Sequence, residues 1–156
     1  FCLNLYARKQ QINNMTRIDF YIHDSLSQLA QNILMCRITE KAWKKNHEVF
    51  IRCASEKSVK EMDDLLWGFS AESFVPHQCQ GENHAAPVII GDRLSEAIKS
   101  DLLVNLGEDV PTSVSKFQRV IEPTGYDEGS RESARARYKY YQDRGFPIFT
   151  HKITLS

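Results

Sequence analysis

The chain has 156 residues, 42% of them apolar and 26% charged, and its twenty Lys and Arg are matched by twenty Asp and Glu. That length suits one domain able to bury a core of its own. A formal charge of zero excludes an all-over electrostatic grip on nucleic acid, which needs a clear basic excess, and leaves room only for a local patch.

No apolar run approaches the roughly 18 residues that a membrane-spanning helix needs. The opening, FCLNLYARKQQINNM, lacks the long apolar segment and small-residue cleavage site of a secretory signal. No Met precedes Met15, where strand-like residues begin at once, so residues 1–14 are expected to be a tail or sequence upstream of the true start. Residues 15–156 then form the domain. Cys2, Cys36, Cys53 and Cys79 show neither framework nor metal spacing and read as reduced thiols of a cytoplasmic protein.

In chain order, RIDFYI (17–22) alternates Ile18, Phe20 and Ile22 and predicts a first strand. Ser25 and Gln28 have the spacing of a capping box. Leu26, Leu29, Ile33, Cys36 and Trp43 recur near a 3.6 period, which predicts a long amphipathic helix over 26–45. HEVFIRCA (47–54) is a second strand. Ser55 caps the next helix, whose inner face is expected to carry Val59, Met62 and Leu65 or Leu66. APVIIG (86–91) and DLLVNLG (101–107) are short apolar runs suited to strands covered on both faces. KFQRVIE (116–122) is another strand, and 128–145 is a helix closed by Gly145 just past its end. FPIFTHKI (146–153) is a last extended piece that Pro147 assigns to an edge. Strands alternating with helices predict an α/β domain, three-layer α/β/α with a largely parallel central sheet.

Such a fold invites a search for nucleotide chemistry. The first strand runs into HDSLSQ, with no glycine to let backbone N–H groups approach a phosphate. Neither G-x-G-x-x-G, nor G-x-x-x-x-G-K-[ST], nor G-x-S-x-G occurs. His77, Cys79 and His84 lie within eight residues. They lack a fourth ligand at a fixed spacing and read as polar loop residues rather than as a zinc site, and a Cys79/His77 nucleophilic pair is disfavoured by its two-residue separation. No catalytic, metal or cofactor site emerges.

Two stretches stand out. LLWGFSAESFVPHQ (65–78) sets Trp67 and Phe74 among loop residues. The helix before it already has an inward face, so the aromatics beyond Gly68 need another surface to cover them. In the last helix, Arg135, Tyr138, Lys139 and Gln142 fall on one stripe at i, i+3, i+4 and i+7, with Ala134 and Tyr141 on the neighbouring stripe toward the sheet. Five basic and two acidic residues over 131–144 make a local excess of +3. A guanidinium fork, a point charge and an apolar wall with a polar tip suit an anion carried by an apolar partner.

DFYI, KAWKKNHEVFIRC, LLWGFSAESFVPH, APVII and ARARYKYYQDRGF, in that order, resemble the chi subunit of bacterial DNA polymerase III holoenzyme, over about 16–151. The resemblance implies a nucleotide-binding-like topology without a phosphate loop and a noncatalytic, cytoplasmic role in the clamp-loader complex. It implies two partners. A psi subunit meets Trp67 and Phe74, and the acidic C-terminal tail of single-stranded DNA-binding protein meets Arg135, Tyr138 and Lys139. Contact with nucleic acid is then mainly indirect. A repair helicase docking in the same way stays open as an alternative to psi. Two other classes also stay open: a small α/β enzyme around Cys79 and His77, and a nucleic-acid binder using the basic last helix.

Overall fold

The computed structural model describes residues 15–82, 85–95 and 97–154. Residues 1–14 and His84, about which the sequence raised expectations, lie outside them. The elements run β1 (Arg17–Ile22), α1 (Gln28–Lys44), β2 (Val49–Arg52), α2 (Glu56–Gly68), β3 (His77–Cys79), β4 (Val88–Gly91) and β5 (Leu102–Asn105). A single 3₁₀ turn (Val114–Lys116) leads into β6 (Arg119–Pro123), α3 (Glu128–Asp143) and β7 (Ile148–Lys152). The strands make one seven-stranded sheet in the order β3-β4-β2-β5-β6-β1-β7, and every pairing in it is parallel.

Strand alternation builds the three layers. Val49 and Ile51 of β2 and Leu102 and Val104 of β5 face a core completed by α1 and α2. Phe50, Leu103, Val120, Ile18 and Phe20 face the other way, onto Tyr141 of α3 and Phe117. The expected three-layer parallel architecture is therefore what the chain adopts, and β7 is an edge strand as Pro147 suggested.

Three expectations need correction. The first helix starts at Gln28, not near 26, because Ser27 rather than Ser25 is its cap: the Ser27 hydroxyl accepts from the Ala30 N–H at 3.2 Å. Ser25 Oγ accepts instead from the Ser27 N–H, in the turn before the helix. Leu26 and Leu29 consequently point outward, 76% and 59% exposed, and the inner face is carried by Leu34, Met35, Cys36, Ile38 and Ala42. Finally, the loop containing His77 and Cys79 supplies a short strand, β3, at the far edge of the sheet.

β1 also carries a buried charge. The Asp19 carboxylate, with no exposed surface, accepts from Arg17 Nε and Nη2 (3.0 and 2.9 Å) and from Arg119 Nε (2.7 Å), and lies 2.7 Å from His151 Nε2. Burial would raise its pKa, but the bonds from His151, Arg17 and Arg119 together hold it below the ordinary 3.8. Unfolding therefore takes up a proton in acid. The contribution of Asp19 is complete above about pH 4 and is lost as pH falls through the depressed folded value. Asp19→Asn is expected to destabilise the protein at pH 7, with the gap to wild type narrowing below about pH 4. Denaturant titrations at several pH values check this.

Candidate protein-docking sites

The α3 surface is set by the turn that starts the helix. Gly125 sits at φ +95°, where a Cβ would come within 2.6 Å of the Arg131 nitrogen, so only glycine fits. Asp127 caps the helix, its carboxylate accepting from the Ser130 N–H at 2.7 Å, while Ser130 Oγ accepts from the Asp127 N–H at 3.1 Å. From α1, Gln31 Oε1 accepts from the Gly125 N–H at 2.9 Å and lies 2.8 Å from His23 Nε2, tying β1, α1 and the turn together.

Ala134, Arg137 and Tyr141 form the inner side of α3. Arg137 is the residue that sequence reasoning misplaced, since it was counted among the surface cations. Its Nε donates to Glu122 Oε2 at 2.6 Å, and its other nitrogens donate to the Glu108 and Pro123 carbonyls. Asn105 Nδ2 (2.7 Å) and the Tyr141 hydroxyl (2.8 Å) donate to Glu122 Oε1, so every neighbour of the carboxylate is a donor. Burial pushes the Glu122 carboxyl up from its ordinary range, against the opposing pull of Arg137, Asn105 and Tyr141. Burial, and then the Glu122 charge, push the Tyr141 hydroxyl up as well. This network fastens α3 to the sheet. It also removes Arg137 from the outer charge.

Outside it, a cavity of about 290 Å³ opens between α3, β1 and β7. Phe20, Ile22 and Ala134 give it an apolar floor, Tyr138 a wall, and Arg131 and Arg135 a cationic rim. Tyr138 stands 5.2 Å from Phe20, centroid to centroid, and is 37% exposed. Arg131 Nη2 donates to the Ser25 carbonyl at 3.2 Å, and Arg135 makes no ion pair among the described residues. Arg135 and Tyr138 are thus brought together, whereas Lys139 is exposed on α3 and does not line the cavity. Arg131 joins them unforeseen. Its signal was available, since it lies one helical turn before Arg135 on the same stripe.

The second surface lies beside β3. Ser55 caps α2 through the Ser58 N–H, and Met62 and Leu66 are buried, with Val59 and Leu65 partly so. Trp67 faces outward, 58% exposed. After Gly68 the chain turns, buries Val75 and leaves Phe74 61% exposed. The rings of Trp67 and Phe74 are 5.8 Å apart, and His77 lies 4.6 Å from Trp67. His77 Nδ1–H donates to the Val75 carbonyl at 2.6 Å, and its Nε2 stands 3.1 Å from Asp63 without the alignment of a hydrogen bond. The loop is therefore braced from within while two large rings stay on the surface.

The larger cavity, of about 570 Å³, is elsewhere, at the carboxyl ends of β2, β5 and β6, where doubly wound folds commonly bind ligands. Its helix N-terminus on α3 already carries the Asp127 carboxylate. Among the described residues no three His, Cys, Asp or Glu side chains converge as metal ligands. Burial raises the Cys36 and Cys53 thiols to about 12 and shifts Cys79 upward too, which leaves none of them a ready thiolate. No described helix is long and apolar enough to cross a membrane.

Residues 15–149 match a family model described as DNA polymerase III chi subunit, HolC. A DNA polymerase III subunit chi from Pseudomonas aeruginosa is 36% identical over 139 residues, which cover 89% of this chain and 98% of the relative. The subunits chi of Escherichia coli and Haemophilus influenzae are 34% and 30% identical. They match 81% and 86% of this chain and 87% and 95% of their own lengths. Among solved structures, T4 UvsW superimposes with a TM-score of 0.64 at 11% identity, over 92% of this chain and 42% of that one. That likeness is one of fold.

Proposed function

This chain belongs to the DNA polymerase III chi subunit family, and from that premise we propose that it is a noncatalytic adaptor joining a psi-like subunit to the acidic tail of single-stranded DNA-binding protein. Through the psi-like subunit it joins the clamp-loader complex. One observation carries the reading: two exposed aromatic surfaces lie at opposite edges of a single sheet. The α3 cavity adjoins β7, and Trp67 and Phe74 adjoin β3. Six interstrand steps of about 4.8 Å put those edges roughly 29 Å apart, far enough for two partners to sit side by side. Trp67 and Phe74 take the psi-like subunit, as an aromatic pair on a Pro-stiffened turn has the make-up of an interface centre. Arg135, Tyr138 and Lys139, now with Arg131, take the tail: the terminal carboxylate on guanidinium, the last apolar side chain on Phe20, Ala134 and Tyr138.

Arg135→Ala is expected to weaken binding of a peptide ending in an acidic run and Pro-Phe by about 1.5–3 kcal/mol. Lys139→Ala should cost less and more steeply at low salt, because an exposed ammonium acts mainly through screened attraction. Melting temperature should hardly move in either variant. Isothermal calorimetry is the check, and unchanged affinity in the Arg135 variant would remove α3 from the tail site.

A further inference from the structure

On the sheet face opposite α3, side chains of the β6–β1–β7 end stand in three registered rows. Arg17 is beside Arg119, Asp19 beside Phe149, and Tyr21 beside His151. The core under α1 and α2 draws its strand residues mainly from β2, β4 and β5, so this end of the face is less covered. The Arg17 and Arg119 side chains are 44% and 31% exposed, and Phe149 is 46% exposed. Both arginines pair with the single carboxylate of Asp19, and neither pairs with another among the described residues. Two positive charges against one negative leave +1 here, before His151 is counted, in a chain whose total is zero. Planar groups lie alongside. The Arg17 guanidinium is 4.0 Å from the Phe149 ring centroid, and Tyr21 stacks on His151 at 4.6 Å with 20° between their planes.

We propose that this open sheet face is a contact for single-stranded nucleic acid, with Arg17 and Arg119 meeting phosphates and bases stacking on the Phe149–Arg17 and Tyr21–His151 planes. Unpaired bases stack on aromatic rings and guanidinium planes, which is how single strands are held on sheet surfaces without sequence preference. An acidic peptide would use the charge but brings a flat group only at an occasional aromatic residue rather than at every unit, and a duplex keeps its bases inside the stack. From the Arg17 row to the Tyr21 row is four residues at about 3.3 Å, roughly 13 Å. That matches about four stacked nucleotides at 3.4 Å each. With only two guanidinium groups the contact is weak on its own. It gains force when another partner holds the strand close, where effective concentration replaces affinity.

The test is fluorescence anisotropy with a labelled oligothymidylate and the whole chain, titrated at low salt and then across a salt series. The wild type should bind saturably at low salt, with log K falling against log salt at a slope of about −1.4 for two phosphates, and lose detectable binding at physiological salt. Phe149→Ala should weaken binding about tenfold. Arg17→Ala should weaken it and make the slope shallower by about 0.7. Arg135→Ala should leave it unchanged. Arg17→Ala still leaves Arg119 and His151 on Asp19, and Phe149→Leu serves if the alanine variant fails to fold. No saturable binding at low salt, binding equal to wild type in the Arg17 and Phe149 variants, loss in Arg135→Ala, or equal binding of duplex would each overturn the proposal.

Discussion

Arg137→Ala is expected to cost about 3–5 kcal/mol of folding stability, because it strips the Glu122 carboxylate of its only cationic partner among the described residues, in a site closed to water. For a domain of this size that amounts to a fall in melting temperature on the order of 10 °C. The bonds from Asn105 and Tyr141 remain, but they cannot neutralise a buried charge. Glu122→Gln should be milder, since an amide oxygen still accepts from Arg137 and the Glu108 and Pro123 carbonyls still take its other nitrogens, although the buried guanidinium then lacks a counter-ion and the new NH₂ faces donors. Arg137→Lys should rescue little, as one ammonium cannot reach Glu122 and two backbone carbonyls together. Thermal melts of the three variants check the order. An Arg137→Ala protein that melts within about 2 °C of wild type would mean that the network does not hold α3 on the sheet.

Phe74→Ala is expected to do the opposite, weakening the psi-like partner by about 2–4 kcal/mol while the isolated chain keeps its melting temperature. A core ring cut to alanine would cost about 3–5 kcal/mol of stability, but Phe74 is 61% exposed and touches Trp67 rather than the interior. Val75 next to it is the residue that anchors the loop, so Val75→Ala should lower stability where Phe74→Ala does not. Trp67→Ala should resemble Phe74→Ala, with some loss of order in the loop because the indole also rests on His77. Paired binding and melting measurements on each variant separate interface from core. A Phe74→Ala protein that melts several degrees lower and still binds would assign the ring to the fold.

The parts of the architecture written in local pattern were legible. Alternation gave β1 and a short apolar run covered on both faces gave β5, and Gly145 marked the end of α3 because only a left-handed turn leaves the helix there. Leu26 and Leu29 were misread because a 3.6 period places residues on a face without saying which face is inward. The sheet turns that helix so that Leu34 and Ile38 go in. β3 escaped notice because three residues between Pro76 and Gly81 carry no period of their own, and pairing with β4 makes the strand. The lateral order of parallel strands is likewise absent from any local run. In the site, Arg135 and Tyr138 were readable from their stripe, while Arg137, three residues after Ala134 and four before Tyr141 on the inward stripe, was still counted with the surface cations for its charge. What separates them is Glu122, fifteen residues upstream on β6, and contact between distant residues is the kind of fact that spacing alone does not hold.

The adaptor account rests on two sites working at once, so the decisive measurement is a calorimetric titration of the acidic Pro-Phe peptide into the preformed complex with the psi-like subunit. With docking surfaces about 29 Å apart on opposite sheet edges, the account predicts the same affinity for the complex as for the free chain, and loss of the peptide from both on Arg135→Ala. Peptide binding that is abolished by the psi-like subunit, or that displaces it, would place both partners on one surface and contradict the account.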